Sequence, residues 1–309
     1  MLKIRLEFLT LLTGLAGVGT LHAQVLFTSN LDTSAGWSVV QEAVPSSSAT
    51  FGFNYSTLGI PASPNGGGST TGLRMAANTN TTIQAITAAT TATFTGNYRV
   101  TFDMWGNSAG PFPAGGTGST EYIGGGVGFS GTSPRAGASL LTTIEGGSAT
   151  DWRLDKGAAA QAIAVGGPYN PAILSRDGGD PYFSAAFPGQ TPPVVQAQVG
   201  TVTNGSIGFK WYSMQIDVNG TAGTASFSIL NPSTNVLTNI GTLTQTGGAV
   251  AVTGSGSLTL LDAFTSVSNA DLNADMVFAI YDNYRVVVPE PSSMLLLGLS
   301  GLLIGRRRR

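Results

Sequence analysis

The chain has 309 residues, with 43 glycines, no cysteine, a single histidine and a formal net charge of −2. Setting aside Lys3, Arg5, Glu7, Glu290 and the four terminal arginines leaves eight basic residues against fourteen acidic ones, so the body of the chain carries −6 and has no basic patch for nucleic acid. Disulfides and thiolate chemistry are excluded, and a glycine usage about twice the average favours strands and tight turns over helices.

Lys3 and Arg5 precede an apolar stretch from Phe8 to Val18, and Leu21-His22-Ala23 offers a cleavage site before Gln24. This is the layout of an export signal over residues 1–23. Val25 to Phe27 and Trp37 to Val40 then read as short strands. Thr50 to Tyr55 alternates large apolar with small or polar residues, and a linker-like loop from Ile60 to Thr70 follows. Leu73 to Ala77 and Thr81 to Ile86 are shorter candidates. The clearest strand is Tyr98 to Trp105, with Tyr98, Val100, Phe102 and Met104 on one face and Arg99, Thr101, Asp103 and Trp105 on the other.

A glycine-rich loop interrupts the pattern after Gly106, and Glu121 to Phe129, Leu140 to Ile144 and Thr150 to Leu154 resume it. Gly166 to Pro193 reads as a long irregular segment carrying Tyr169 and Tyr182, and loops of that length are uncommon unless they bind something or are mobile. Ile207 to Val218 sets Phe209 and Trp211 against Tyr212, Met214, Ile216 and Val218, and Asn219-Gly220 turns the chain into Thr224 to Leu230. Leu258 to Phe264 and Met276 to Val288 complete the set. Strands at this spacing predict an all-β fold, a jelly-roll or concanavalin-like β-sandwich with long Gly/Pro-rich loops over residues 24–288.

The chain closes on Pro289-Glu290-Pro291, an apolar run from Met294 to Ile304, and Arg306, Arg307, Arg308 and Arg309. As a helix, Ser292 to Gly305 would reach about 21 Å, short of the roughly 30 Å of a hydrocarbon core. It suits a transient membrane handle, held by its arginines on the cytoplasmic side. Pro289 and Pro291 keep the backbone extended for a processing enzyme to grip. Residues 289–309 closely resemble the PEP-CTERM sorting tail of exported bacterial proteins. The resemblance implies passage through the export translocon, recognition of Pro289, Glu290 and Pro291 by a membrane exosortase, and a destination in the cell envelope, outer surface or extracellular matrix. It also implies an association with exopolysaccharide.

A second resemblance concerns the sandwich. The hairpin from Trp211 to Gly220 looks like the central hairpin of laminin-G and concanavalin-like domains. The closing run Phe278 to Val286 is similar to the terminal strand often found before a PEP-CTERM tail.

The one histidine, His22, lies in the export signal, which removes Ser-His-Asp catalysis, Cys-His catalysis and histidine metal sites from the mature chain. Paired carboxylates acting on a glycosidic bond are the remaining enzymatic option, a glycoside hydrolase or lyase, but Glu121 and Glu145 stand isolated in the sequence. For a metal, Asp271, Asn273 and Asp275 place oxygen ligands at positions one, three and five of a calcium loop, with Asp282 at position twelve. Met276 stands where an EF-hand needs glycine, which leaves a sandwich-type calcium site formed by Asp271, Asp275 or Asp282, or an ordinary Asx-rich turn over Asn269 to Asp275, as the alternatives. Glycan binding calls for flat aromatic faces beside polar groups, and the candidates are Trp105, Trp152, Tyr169 and Tyr182. The expected function is a non-catalytic structural or glycan-associating role outside the cell.

Overall fold

The computed structural model describes residues 23–42, 47–77, 84–113, 121–131, 136–157, 159–161, 176–244, 252–262 and 274–290. Within them fifteen strands follow in order: β1 (Gln24–Ser29), β2 (Trp37–Gln41), β3 (Ser48–Asn54), β4 (Thr71–Ala76), β5 (Gln84–Thr90), β6 (Tyr98–Asn107), β7 (Glu121–Phe129), β8 (Ala138–Thr143), β9 (Trp152–Lys156), β10 (Ala159–Gln161), β11 (Trp211–Asn219), β12 (Thr224–Asn231), β13 (Val236–Thr244), β14 (Ser255–Asp262) and β15 (Phe278–Val288). Residues 25–289 form one compact unit, and the two terminal segments are grouped apart from it.

The strands make two antiparallel sheets. The larger runs β13-β12-β11-β6-β15-β4-β3, with β1 also on β15, and the smaller runs β10-β9-β8-β7-β14-β5-β2. The period-two pattern decides which side chains lie between them. From the larger sheet come Tyr98, Val100, Phe102 and Met104 of β6 and Tyr212, Met214, Ile216 and Val218 of β11. From the smaller come Ile86, Ile123, Leu140, Leu154, Leu258 and Leu260. Each such side chain taken out of water contributes roughly 1.5–3 kcal/mol.

β15 departs from strict alternation. Its register against β6 slips between Asp282 and Arg285, and Asn283 takes a left-handed φ of 53°, a conformation asparagine tolerates. Tyr281 and Tyr284, three apart, therefore both point into the core, where Tyr284 stacks on Phe102 at 5.8 Å. The same bulge leaves Asp282 and Asn283 on the outer face.

A second hydrophobic cluster covers part of that outer face: Tyr55, Ile60, Trp105, Phe112, Val202, Phe209, Trp211, Phe278 and Ile280. Its lid is a 3-10 turn (Tyr55–Leu58), the segment after it, and the stretch leading into β11. The segment read as irregular holds a short helix, α1 (Pro181–Ala186), started by Asp180, whose carboxylate accepts the Tyr182 amide at 2.9 Å, with Pro181 in the first turn. α1 sets Phe183 against Trp152 at 4.9 Å, nearly parallel.

Candidate functional site

The registers define the outer face of the larger sheet row by row. Trp105 of β6 sits opposite Trp211 of β11 and Ile280 of β15, and this row lies under the covering cluster. The next row is Asp282, Asp103 and Ser213, followed by Arg285, Thr101 and Gln215, and then Val287, Arg99 and Asp217. Below the aromatic row the outer face is thus almost wholly polar, in a protein with few charges to place.

The loop after the 3-10 turn crosses this face as a strap and is fixed by two buried carboxylates. Asp103 Oδ1 accepts from Asn65 Nδ2 at 2.8 Å and Ser213 Oγ at 2.5 Å, while its Oδ2 accepts from the Asn65 amide at 3.1 Å and Asn283 Nδ2 at 2.8 Å. Asp282 Oδ2 accepts from Ser63 Oγ at 2.8 Å and Tyr55 Oη at 3.0 Å, and its Oδ1 from the Asn283 amide at 2.7 Å. Burial raises Asp282 from its ordinary 3.8 to about 6, with the Asp103 charge adding to the rise and the hydroxyl and amide donors opposing it. Trp211 Nε1 donates to the Pro61 carbonyl at 2.8 Å and fixes the entry of the strap.

Two grooves flank the strap. One of ≈ 490 Å³ is lined by Pro61, Pro64, Phe209, Lys210, Pro232 and the edges of Trp105 and Trp211. The other, ≈ 530 Å³, is lined by Thr28, Asn30, Asn65, Thr101, Ser213, Gln215, Asn283 and Arg285, with Val25, Phe102, Met214 and Leu230. Amides, hydroxyls and one guanidinium beside apolar edges are groups that can meet the hydroxyl rim of a sugar.

Of the residues expected to bind glycan, Trp105 lines the smaller groove and the others that are described line neither. Trp105 does lie on the outer face with Arg99, Thr101 and Asp103, but the covering cluster leaves it only 4% exposed. Trp152 is fully buried, packed between Phe183 and Phe187 with its Nε1 donating to the Gly205 carbonyl at 2.9 Å. Neither offers a free face, because α1 and the strap supply apolar partners that alternation within one strand does not reveal. Tyr182 is exposed, its hydroxyl donating to the Asn239 carbonyl at 2.7 Å, and it does not line either groove. Tyr169 lies outside the described residues.

For the calcium ligands, Asp271 and Asn273 lie outside the described residues. Asp275 is exposed in a 3-10 turn, and its backbone carbonyl accepts from Arg74 at 2.9 Å. Asp282 is buried under the strap with both oxygens hydrogen-bonded, so it does not extend an Asp275 loop; the β15 bulge carries it to the outer face instead. Among the described residues no group of three or more acidic or histidine side chains could hold a metal.

Two glutamates isolated in the sequence do meet. Glu121 begins β7 and Glu145 follows β8; the Ile144 amide donates to the Glu121 carbonyl at 3.1 Å. Burial, then the charges of Glu121 and Asp151, raise Glu145 to about 8 against the pull of the Ser108 hydroxyl, which donates to it at 2.8 Å. The antiparallel β7–β8 pairing that joins them was implicit in two adjacent strand candidates. Pro289 and Glu290 are exposed, and Pro291 and Arg306 to Arg309 lie outside the described residues.

Residues 287–309 match the PEP-CTERM protein-sorting motif. The motif implies an exported, surface-directed protein processed by an exosortase. Among the described residues no helix is long and apolar enough to cross a membrane. No curated protein matches the chain. Among solved structures, the chain is similar to a protein of unknown function with galectin-like fold from Bacillus subtilis (13% identity, 86% of this chain and 96% of that one, TM-score 0.40). It is also similar to basic winged bean lectin with Tn-antigen (10%, 86% and 98%, 0.41). A third is a carbohydrate esterase from the Shiga toxin-encoding bacteriophage phi24B (10%, 87% and 100%, 0.37). The first two are galectin-like and lectin sandwiches, not the laminin-G type. Likenesses at this level carry no information about the chemistry of the outer face.

Proposed function

We propose that this is an exported, non-catalytic protein whose β-sandwich associates with a glycan through the polar groove on the outer face of its larger sheet. The observation that carries the reading is the groove itself: Thr28, Asn30, Thr101, Gln215 and Arg285 gather around ≈ 530 Å³ on a rigid sheet, beside the apolar edges of Val25 and Leu230. The PEP-CTERM motif supports it by directing the chain to where such polymers are found. Calcium belongs to the proposal through Asp271, Asn273 and Asp275, and a chelator-sensitive affinity is the expected sign of it.

The test is a polysaccharide pull-down and glycan array with the full-length chain in detergent, with and without calcium. Binding that is lost in Thr101→Ala and Gln215→Ala is expected, whereas the absence of any glycan ligand would sink the reading and leave a purely structural role. A second reading, two-carboxylate hydrolysis, is favoured by the proximity of Glu121 to a Glu145 that burial and the Glu121 charge raise to about 8, the condition a general acid needs near neutrality. Reducing ends released by the wild type and not by Glu145→Gln would establish it in place of the first.

A further inference from the structure

The groove's twelve lining residues include one charged side chain, Arg285. It is exposed, directly opposite Thr101 across the β15 bulge, and it makes no hydrogen bond or ion pair among the described residues. The neighbouring cation on this face is already neutralised, since Arg99 pairs with Asp217 at 2.6 Å. The nearest carboxylates cannot compete for the Arg285 guanidinium as acceptors. Asp103 is wholly buried and takes four hydrogen bonds, which fills its acceptor positions, and Asp282 is held beneath the strap by three.

What remains open to a ligand is one guanidinium, unpaired among the described residues, set beside hydroxyls and amides that both donate and accept. Thr28, Asn30 and Thr101 carry side chains with no partner among the described residues, and the guanidinium adds a planar fork of N–H groups suited to an oxyanion. A neutral sugar's hydroxyls can be met by the mixed hydroxyl and amide groups, whereas the guanidinium, which only donates, gains two charge-assisted hydrogen bonds from an oxyanion alone. Outside its terminal segments the chain as a whole is net acidic, with fourteen acidic residues against eight basic ones, so the wider field opposes a densely charged polyanion while one fixed guanidinium rewards a sparse one.

We propose that the groove selects glycans bearing an isolated anionic group, a carboxylate or a sulfate ester, and that Arg285 is the residue that reads it. This rests on the glycan-binding reading above and specifies its ligand class. Binding to the full-length chain is measured with three polymers: hyaluronan, which carries a carboxylate on alternate sugars, a dextran sulfate of low substitution whose sulfate esters are isolated, and neutral dextran. The variants are Arg285→Gln, Arg285→Lys and Gln215→Ala; Arg285 is exposed, and equal thermal midpoints confirm that its variants fold.

Hyaluronan is expected to bind more tightly than dextran, to lose roughly tenfold or more in affinity in Arg285→Gln, and to recover in part in Arg285→Lys, which keeps the charge without the fork. Raised salt should weaken it in the wild type and not in Arg285→Gln. Arg285-dependent binding of dextran sulfate but not hyaluronan assigns the anion to a sulfate ester and supports the same chemistry. If dextran binds as tightly as hyaluronan, is weakened by Gln215→Ala, and Arg285→Gln changes neither polymer, the anion inference is overturned while the glycan reading stands. If no polymer of either charge binds, both fall.

Discussion

Tyr284 carries its hydroxyl to a place where nothing receives it. The side chain is fully buried, its ring stacks on Phe102 at 5.8 Å and meets Trp37 edge-on at 4.9 Å, and its oxygen has no hydrogen-bond partner among the described residues. It can reach that depth because residue 256 is glycine: a Cβ there would collide with the Tyr284 hydroxyl. A buried hydroxyl without a partner costs about 1–3 kcal/mol, so Tyr284→Phe keeps the aromatic packing and removes the penalty. The variant is expected to be as stable as the wild type or more so, by about 1 kcal/mol, in urea denaturation. A loss of more than 1 kcal/mol would mean that the hydroxyl has a partner after all. Gly256→Ala, which overpacks the same contact, should instead destabilise by about 1–3 kcal/mol. Tyr284 itself is easy to place in the terminal strand from sequence. Its facing is not, because period two puts Tyr281 and Tyr284 on opposite sides until the left-handed Asn283 is known.

The strap over residues 61–69 reads in the sequence as a linker, on the strength of its prolines and three consecutive glycines, and it is in fact a fixed part of the outer face. Local composition says only that the backbone is irregular; what fixes it is Asp103, some 40 residues later, and Asp282, more than 200 later. The same limit hid α1, six residues being too few for a helical period, although Asp180-Pro181 is a recognisable start. It also hid β13, an edge strand with Val236 and Leu237 half-exposed, where Ile240 is an extra residue opposite β12 and breaks the alternation. The strands that were legible include β6 and β11, whose alternation is continuous over a buried face, and Glu121–Phe129, which is buried at all nine positions. Asn65 tests whether the strap matters. Asn65→Ala removes the side-chain donor at 2.8 Å from the buried Asp103, and a stability loss on the order of 1–3 kcal/mol is expected, together with faster proteolysis within residues 61–69. Because Asn65 also lines the polar groove, glycan affinity should fall in the same variant. An unchanged proteolysis rate would show that Trp211 and Ser63 alone hold the strap.

Among the described residues the molecule buries seven carboxylates against one cation, Arg176, and this sets how its stability must respond to pH. Asp151 and Asp282 are raised from 3.8 to about 6, and Glu145 from 4.5 to about 8, each chiefly by removal from water. Asp151 is only partly relieved by the Thr143 hydroxyl at 2.7 Å and the amides of Gly178 and Ser148. Over the window between the ordinary and the raised values, the folded chain holds protons that the unfolded chain has released. Stability from these groups is therefore complete below about pH 4, falls as Asp151 and Asp282 ionise towards pH 6, and falls further as Glu145 ionises towards pH 8, at up to about 1.4 kcal/mol per pH unit per proton retained. The thermal midpoint should be higher at pH 5 than at pH 8 by several degrees, on the order of 5 °C. Glu145→Gln should flatten the upper part of that slope, between pH 6 and pH 8, because the amide oxygen can still accept from Ser108 while the titrating proton is gone. The lower part, from Asp151 and Asp282, should survive in that variant. A wild-type midpoint that rises from pH 5 to pH 8 would contradict the sign of all three shifts. A slope unaltered in Glu145→Gln would place the neutral-range titration on another group.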